Sequence, residues 1–512
     1  MLAAALLLGG CTALRPEIPR LPSHATTQSA SSPIGRAFAE QARLHAGQSG
    51  FQIMATGQEA FAARAGLARA AEHSLDLQYY SVGEDVTTDR LLYHLFAAAE
   101  RGVRVRILLD DLAAPARHFA RRAMAAHAGI EVRLFNPFHF NASVPLGRLG
   151  EFALDGDRLN RRMHNKLWVS DGAAAIIGSR NLGDEYFDAN DFGNFHDVDL
   201  LVVGPIVSHL SRSFDSYWNS PAAVPAPALI DLPDGRGAAA LQRNLKQDMS
   251  ACRMAVDCRW LGDEAWLVAL RSGSLPLVWA DARFISDPPD QDKAEAVSGI
   301  QHDWVTDHPG GSRTEREMLI ASPYFVPSAA GLRHLGEMRQ RGVRIGVLTN
   351  SLASTDSTAA HAGYARHRAE LLREGVELYE VRLEQGAPHD RPHIWGQTSP
   401  YSMHAKFLVL DRERLVVGSF NQDPRSRLHN TESWIAVDSP ELATQLAALF
   451  DERTMADHAF RLELVAGDGG DRLNWLAEDG GLVIRFDDEP QASVWSRLWR
   501  KLLGVLIPEH LL

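Results

Sequence analysis

Strand-like runs alternate with helical segments along most of the chain. In AAAERGVRVRILLDDL (97–112) the end of a helical segment is followed by Arg-Gly and by the run from Val103 to Leu109. A short run rich in β-branched residues after a glycine is typical of a strand buried in a parallel sheet. Strands that alternate with helices in this way predict an α/β fold, with a mixed, mostly parallel sheet flanked by helices.

The same pattern occurs twice. EMRQRGVRIGVLTNSL (337–352) repeats the helix end, the Arg-Gly-Val-Arg and the apolar run, and Arg101 and Arg341 are 240 positions apart. His164 and His404 are also 240 positions apart. Two independent landmarks with one offset indicate a duplication. We therefore predict two duplicated α/β domains related by a pseudo-two-fold axis, as is common for paired copies of one unit.

Each half contains one cluster of reactive side chains. In RRMHNKLWVSDGAAAIIGSRN (161–181) His164 and Lys166 are two positions apart in a strand-like segment, so they project from the same face. An Asp-Gly turn reverses the chain, and the next strand brings Ser179 and Asn181 to the same edge. The first cluster therefore consists of His164, Lys166, Asp171, Ser179 and Asn181. In YSMHAKFLVLDRERLVVGSFN (401–421) the equivalent residues are His404, Lys406, Asp411, Ser419 and Asn421.

Two such clusters facing each other suit a phosphodiester. Ammonium groups and amide donors can hold the non-bridging oxygens and stabilise the charge of a five-coordinate transition state. One histidine can attack phosphorus to form a phosphohistidine, and the other can protonate the departing alkoxide. We interpret Asp171 and Asp411 as orienting the histidines. This chemistry needs no metal and no cofactor, and the sequence has no competing His/Asp/Glu cluster with ligand spacing.

The paired motifs resemble the His-Lys-Asp motifs of the phospholipase D superfamily and match them in full, including Gly178 and Gly418. Stretches such as RLNRRMHNK, EVRLFNPF, YFVPSAAG, LTNSLASTD and GSFNQDPRS are similar to bacterial cardiolipin synthases of the C type. The resemblance covers nearly the whole chain after about residue 50. It implies an enzyme that transfers a phosphatidyl group onto phosphatidylglycerol, with phosphatidylethanolamine as the implied donor.

The resemblance also implies a role for each site residue. The implied catalytic residues are His164, Lys166, Asp171, His404, Lys406 and Asp411. The residues implied to bind the phosphate are Ser179, Asn181, Ser419, Asn421 and Glu432. By analogy with relatives His164 is the nucleophile and His404 the acid and base, although pseudo-symmetry permits the reverse. The acidic residue downstream of each motif is Glu432 in the second half, and the first half offers Asp197.

Composition narrows the range of substrates. With 52 Lys+Arg against 64 Asp+Glu, the net charge is −12, which argues against a nucleic-acid partner because a basic surface drives phosphate-backbone binding. A phospholipase D-type phosphodiesterase uses the same residues with water as acceptor and stays the alternative, with a nuclease less favoured. A non-catalytic lipid-binding module tolerates the loss of a motif residue, and none is missing.

The N-terminus predicts attachment to a membrane. The apolar run in MLAAALLLGGC is too short to span a bilayer, which needs roughly 20 residues, and it ends like a bacterial lipobox. Residues 1–11 are therefore interpreted as a lipoprotein signal with a lipidated Cys11, and residues 12–45, rich in Pro, Ser and Thr, as a tether. This predicts a lipid-anchored protein on the cell membrane, facing the periplasm. The alternative is a frayed apolar N-terminus with a chance cysteine.

The remaining boundaries follow from the repeats. The first phospholipase D-like domain is placed at 46–235, which we call the first half, and the second at 316–490, the second half. Residues 236–315 match neither repeat and are interpreted as a connecting segment with its own helical packing. Its Cys252 and Cys258 either pair or remain separate buried thiols.

The last segment, 491–512, has an amphipathic pattern. A helix here places Trp495 and Trp499 on an apolar stripe, with Arg497 and Arg500 on the other side. Such a helix either lies on a lipid surface or packs on its own domain.

Four aromatic residues follow apolar strands at matching places in the two halves. They are Tyr79, Tyr80, Tyr324 and Phe325. Core packing is the expected role for each, and lining of the acyl or headgroup path is the alternative.

Overall fold

The structure is a computed structural model. It describes residues 18–112, 115–140, 145–191, 193–254, 264–290, 314–383, 402–467 and 470–506. Cys11 and Cys258 lie outside these ranges, so lipidation of Cys11 and pairing of Cys252 with Cys258 stay predictions. Within the described ranges no helix combines the length and the apolar character needed to cross a membrane.

The strands of the two halves correspond one to one over most of the sheet. The strands up to residue 225 are β1 (Ser49–Met54), β2 (Ser74–Tyr79), β3 (Arg104–Asp110), β4 (Ile130–Phe135), β5 (Leu167–Ser170), β6 (Ala174–Gly178), β7 (Phe195–His196), β8 (Asp199–Val203) and β9 (Ala223–Pro225). The later strands are β10 (Val278–Ser286), β11 (Glu317–Ala321), β12 (Arg344–Asn350), β13 (Glu377–Val381), β14 (Ser402–Met403), β15 (Phe407–Leu410), β16 (Arg414–Gly418), β17 (Ser433–Asp438), β18 (Ala459–Val465), β19 (Arg472–Asp479) and β20 (Leu482–Phe486).

Helices cover both faces of the sheet. They are α1 (Pro33–Leu44), α2 (Gly57–Ala70), α3 (Val86–Glu100), α4 (Pro115–Ala126), α5 (Pro145–Asn160), α6 (Val207–Trp218), α7 (Gly235–Met254), α8 (Glu264–Ser272), α9 (Ala329–Gln340), α10 (Thr358–Arg373), α11 (Pro424–Leu428), α12 (Pro440–Arg453) and α13 (Val494–Leu506). Side-chain caps begin several of them: Thr56 forms a capping box with Glu59 at α2, and Ser328 caps α9.

The duplication and the mixed α/β sheet are confirmed. In the first half β2, β3 and β4 are parallel, and β5, β6, β8 and β1 continue from β2 in antiparallel order. In the second half β11, β12 and β13 are parallel, and β15, β16, β17 and β10 continue in the same way. Parallel pairing is therefore less extensive than predicted. Tight turns such as Asp171-Gly172, both with positive φ, join neighbouring strands, which must then be antiparallel.

The two halves are joined edge to edge. β1 pairs with β10 through Ser49–Phe51 and Val278–Ala280, which makes one continuous sheet of eighteen strands among the described residues. At the level of the motifs, the short strand β7 of the first half pairs in parallel with β14 of the second. A bridge between Met163 and Thr431 is the pseudo-symmetric counterpart of that pairing. A core cluster with residues of both halves, including Ile177, Val202, Val417 and Val437, lies behind this junction.

The segment interpreted as a connection takes part in the sheet. β10, within residues 236–315, occupies in the second half the place that β1 has in the first. Helix α7 packs against α3 and α4, and α8 packs against α1 and α2, so both helices lie on the first half.

Part of the predicted tether is attached to the first half. Helix α1 buries Ile34 and Phe38, which lie four positions apart on one face, and Ser32 caps it ahead of Pro33. Upstream, the Ala25 amide donates to Asp215 Oδ2 at 2.8 Å. These contacts hold part of the predicted tether against the first half. The sequence did not predict helix α1 because it is short and lies in a Ser-rich stretch.

Candidate active site

The two histidines and two lysines of the motifs are brought together at the junction of the halves. His164 and Lys166 lie just before β5, and His404 and Lys406 just before β15. All four side chains are buried, with exposures between 1% and 7%. The pKa values of His164 and Lys166 are both affected by the charges of the second half's motif, which indicates one shared pocket. The motif residues of the two halves therefore converge, as the sequence predicted.

Each histidine is held by a carboxylate from the opposite half. His164 Nδ1 lies 2.9 Å from Glu432 Oε2, and His404 Nδ1 lies 3.1 Å from Asp197 Oδ1. A carboxylate on Nδ1 fixes the tautomer with the proton on Nδ1, which leaves the lone pair on Nε2. The backbone also makes matching contacts between the halves, since the His164 amide donates to Thr431 O and the His404 amide donates to His196 O.

The carboxylates are themselves fixed by the motif serines. Ser179 Oγ donates to Asp197, and Ser419 Oγ donates to Glu432. Ser426 Oγ donates a further bond of 2.8 Å to Glu432 Oε1. The serines, expected to bind phosphate, therefore contact the acidic residues that hold the histidines.

Asp171 and Asp411 do not contact the histidines, which corrects the expectation that they orient them. Asp171 accepts backbone N–H bonds from Glu72, His73 and Ser74, at 2.8 to 3.0 Å. Asp411 accepts the equivalent bonds from Glu315, Arg316 and Glu317, at 2.7 to 2.9 Å. Asp171 thus links the β5–β6 turn to the start of β2, and Asp411 links the β15–β16 turn to the start of β11. Sequence spacing could not show this, because the turn carries each aspartate to the opposite end of the strand from its histidine.

The lysines bridge backbone and pocket. Lys166 Nζ donates to His164 O at 2.6 Å, and Lys406 Nζ makes the same 2.6 Å bond to His404 O. Burial lowers the pKa of Lys406 to about 8, although Asp197 and Glu432 oppose that effect. Burial holds the pKa of Lys166 well below its usual value. Two buried lysines beside two imidazoles supply N–H donors for an anionic phosphate, and the carboxylates of Asp197 and Glu432 balance part of their charge.

The histidines differ in their electrostatic surroundings. Burial and the ammonium groups of Lys166 and Lys406 hold the pKa of His164 well below its usual value. Burial and Lys406 lower the pKa of His404 too, while Asp197 opposes the decrease. Although burial alone raises it, the pKa of Asp197 is held below its usual value by His404 and Lys406. His164 is thus strongly biased to the neutral form, and His404 less so.

The motif asparagines have different partners in the two halves. Asn181 Oδ1 accepts from the Ser81 amide at 3.2 Å, and its Nδ2 donates to Tyr186 OH at 2.9 Å. Asn421 is equally buried, but its Oδ1 has no hydrogen-bond partner. Of the two motif asparagines, Asn421 is therefore the one whose side-chain oxygen can still accept a hydrogen bond.

Aromatic rings complete the walls of the pocket. Tyr80 packs edge-on against His164 with ring centroids 4.9 Å apart, and Lys166 Nζ lies 5.2 Å from the Tyr80 centroid. On the other side Tyr186 and Phe195 pack against His404, at 5.3 and 5.1 Å. The sequence did not single out Tyr186 or Phe195, since Tyr186 lies in a short 3-10 turn and Phe195 in the two-residue strand β7, and neither leaves a recognisable pattern.

Of the other aromatic candidates, Tyr79 and Phe325 are core residues. Tyr79 is fully buried, and its hydroxyl accepts from Arg64 Nε at 3.0 Å. Phe325 is 2% exposed and belongs to the core cluster of the second half. Tyr324 is half-buried and donates to Asp356 at 2.8 Å.

The described part of the chain contains no group of three or more His, Cys, Asp or Glu side chains placed to hold a metal ion. Two imidazoles held by carboxylates of the opposite halves, beside two buried lysines, are the groups that phosphoryl transfer through a histidine would require.

Comparison with known proteins identifies the family to which the chain belongs. The family model for "Cardiolipin synthase, PLD-like domain" matches residues 66–218 and 312–454, one match in each half. Cardiolipin synthase C of Escherichia coli is 39% identical over 471 residues, which cover 91% of this chain and 97% of that protein. The chain belongs to this cardiolipin synthase family and is an enzyme of the phospholipase D superfamily.

More distant comparisons agree on the fold. A cardiolipin synthase of Geobacillus kaustophilus is 26% identical over 73% of this chain and 60% of its own length. The crystal structure of phosphatidylserine synthase from Haemophilus influenzae covers 84% of this chain and 92% of that one, with a TM-score of 0.52 and 12% identity.

Proposed function

We propose that the protein makes cardiolipin by transferring a phosphatidyl group onto phosphatidylglycerol through a phosphohistidine on His164. The observation that carries this mechanism is the pair of buried histidines, each held at Nδ1 by a carboxylate of the other half. Membership of the cardiolipin synthase family supports the reaction, and the site supplies every group that the reaction needs.

In the first step His164 Nε2 attacks the phosphorus of the donor lipid. The bond between phosphorus and the headgroup oxygen breaks, and His404, which enters this step as the imidazolium stabilised by Asp197, donates its Nε2 proton to the departing alkoxide. The low pKa of His164 favours the neutral imidazole that this attack requires. Lys166 and Lys406 hold the non-bridging oxygens and stabilise the charge of the five-coordinate transition state.

In the second step a hydroxyl of phosphatidylglycerol attacks the phosphohistidine. His404, neutral after the first step, removes the hydroxyl proton as the new oxygen–phosphorus bond forms. The bond between His164 Nε2 and phosphorus breaks, which restores both imidazoles. Asn421, with an unused amide oxygen, is placed to contact a hydroxyl of the acceptor.

The donor and the location extend this proposal. The resemblance to the C type supports phosphatidylethanolamine as donor and ethanolamine as the alcohol released. Lipidation of Cys11, with the catalytic halves facing the periplasm, follows from the lipobox-like start of the chain. The substrates are membrane lipids, so the enzyme works at a membrane surface.

Helix α13 is proposed to lie on that surface. Its apolar stripe is exposed to solvent: Trp495 is 67% and Trp499 50% exposed. Arg500 and Arg497 instead turn toward the second half, where they lie 3.1 Å from Glu489 and 3.3 Å from Asp488. This orientation is the reverse of a helix that packs its apolar face on its own domain, and it favours insertion of the tryptophans at the lipid interface.

The test is analysis of lipid products by mass spectrometry. Purified protein is incubated in EDTA with phosphatidylglycerol, with and without phosphatidylethanolamine, beside the His164→Ala variant. Cardiolipin from the wild type alone is expected, and release of ethanolamine in step with it identifies the donor. Phosphatidic acid without cardiolipin would show water as acceptor and make the protein a phosphodiesterase.

A further inference from the structure

An apolar cavity of about 330 Å³ lies in the second half beside the active site. One wall is the face of the sheet, and the other is the first part of helix α9. Its apolar lining includes Met318, Ile320, Leu408, Val416, Trp434 and Leu335. Lys406 is also among the lining residues, so the cavity reaches a side chain of the second motif.

The equivalent space in the first half is filled. There Asp199 is paired with Arg64 of helix α2 at 2.9 Å and with Arg180 at 3.4 Å. Trp168 lies on the same face, and all four side chains are at most 1% exposed. A buried ion-pair network and an indole therefore occupy this region of the first half.

Three exchanges between the halves change the chemistry of this face. Strand register gives the correspondence, because Asp199 pairs with Gly178 and Trp434 pairs with the matching Gly418. Phe420 follows Ser419 where Arg180 follows Ser179, and Leu408 pairs with Ile320 where Trp168 pairs with Leu77. Each exchange replaces an ionic group by an apolar one or a large side chain by a smaller one. Among the described residues, this face is therefore apolar in the second half where it is ionic in the first.

We propose that this cavity binds one fatty acyl chain of the phosphatidyl donor, an inference that rests on the proposed function. The donor's phosphate and acyl chains are joined through a short glycerol, so a chain that enters beside Lys406 is within reach of the reacting phosphorus. The volume lies within the range of ligand pockets, and burial of methylene groups against apolar walls is favourable. The second half thus selects the long-chain donor, while the filled first half serves the phosphate alone.

The first test changes the volume of the cavity. Leu408→Trp places in the second half the residue that the first half has at the equivalent position, so the fold has a precedent for it. Rates are measured with donors whose acyl chains range from short to long. In the wild type kcat/KM rises with chain length, and in Leu408→Trp the ratio of long-chain to short-chain kcat/KM falls by about tenfold. Val483→Trp, at a 71% exposed position on β20, is the matched control and leaves the ratio unchanged.

The second test requires neither turnover nor the Leu408→Trp variant. A phosphatidylethanolamine, the proposed donor, with a diazirine at the end of one acyl chain is photolysed with the His164→Ala enzyme, and labelled peptides are mapped by mass spectrometry. Label in α9, β15 or β16 is expected. Label confined to other segments, or an unchanged chain-length ratio in Leu408→Trp, overturns the inference. A wild type that makes no cardiolipin from any donor, yet is labelled at these strands, instead contradicts the proposed function alone.

Discussion

His164 of the first half and Glu432 of the second are joined at the centre of the molecule, with 2.9 Å between Nδ1 and Oε2. The pseudo-symmetric contact joins His404 to Asp197. Because each imidazole is oriented by the opposite half, neither half holds a complete site. A second copy of the unit therefore completes the contacts of each histidine, in addition to burying the shared core.

Replacing the carboxylate of Glu432 tests its role as a positioning group. Glu432→Gln keeps the shape but removes the negative charge on His164, so kcat is expected to fall about 10- to 100-fold. Loss of the charge also lowers the pKa of His164 further, so the acid limb of the kcat/KM profile should move to lower pH. Rates are measured with short-chain lipids in mixed micelles. An unaltered acid limb would contradict the assignment even if the rate fell.

Asp171 should matter for stability and not for chemistry. Asp171→Asn preserves the left-handed turn, φ 52°, which asparagine tolerates, but it weakens three bonds to backbone amides. The expected cost is about 2 kcal/mol, seen as a lower apparent Tm. The kcat per folded molecule should stay within about twofold of the wild type, since no reacting group is touched. A loss of kcat like that of Glu432→Gln would restore the catalytic role that the sequence suggested.

This contrast shows how far the sequence alone reaches. The duplication, the strand–helix alternation and the convergence of His164, Lys166, His404 and Lys406 could all be predicted, because they follow from side-chain period and from one repeated offset. The role of Asp171 could not, because the β5–β6 turn reverses the chain and its backbone partners lie almost a hundred residues away.

The contacts between the histidine of one half and the carboxylate of the other could not be predicted from the sequence either. Asp197 lies 207 positions from His404, and only the register of β7 with β14 brings the two together. Phe195 reaches His404 through the same pairing, and Tyr186 through the short turn that precedes β7. Helix α1 was missed for a different reason: its pattern is local, but it is too short to be recognised within a Ser-rich stretch.

The rate should fall in alkali as Lys406 loses its proton. Its pKa of about 8 means that it is charged below that pH and neutral above it, so kcat/KM should show a further decline as pH rises through about 8, beyond the limb at lower pH where His404 loses its proton. A bound phosphate stabilises the ammonium, so the corresponding limb of kcat should lie at higher pH. Both profiles are measured from about pH 6 to about pH 10. Alkaline limbs at one and the same pH in both profiles would place the titrating group elsewhere.

Helix α13 should control binding to lipid vesicles. Trp495→Ser/Trp499→Ser removes the two largest exposed rings of the stripe and should weaken partition onto anionic vesicles by about tenfold or more. Sedimentation with vesicles of phosphatidylglycerol and phosphatidylethanolamine measures this, with an unchanged circular dichroism spectrum as the test of folding. Leu482→Ser/Val483→Ser, at equally exposed apolar positions of β20, is the matched control. Equal binding by both double variants would remove α13 from the lipid interface.

The order of the two histidines can be tested by trapping the covalent intermediate. In His404→Ala the leaving alkoxide lacks its proton donor, so ordinary donors should react about 10²- to 10⁴-fold more slowly. A donor with a nitrophenol headgroup leaves without a proton and should restore the first step. The second step still lacks its base, so the phosphoenzyme should accumulate.

Mapping the phosphorylated peptide then identifies the nucleophile. The low pKa of His164 and its contact with Glu432 favour a neutral imidazole with its lone pair on Nε2, so the label is expected on His164. His164→Ala should give no phosphoenzyme with the same donor, which controls for reaction elsewhere. A stable label on His404 in His164→Ala, at the rate of the activated donor, would reverse the order, because pseudo-symmetry places His404 Nδ1 on Asp197 in the same way.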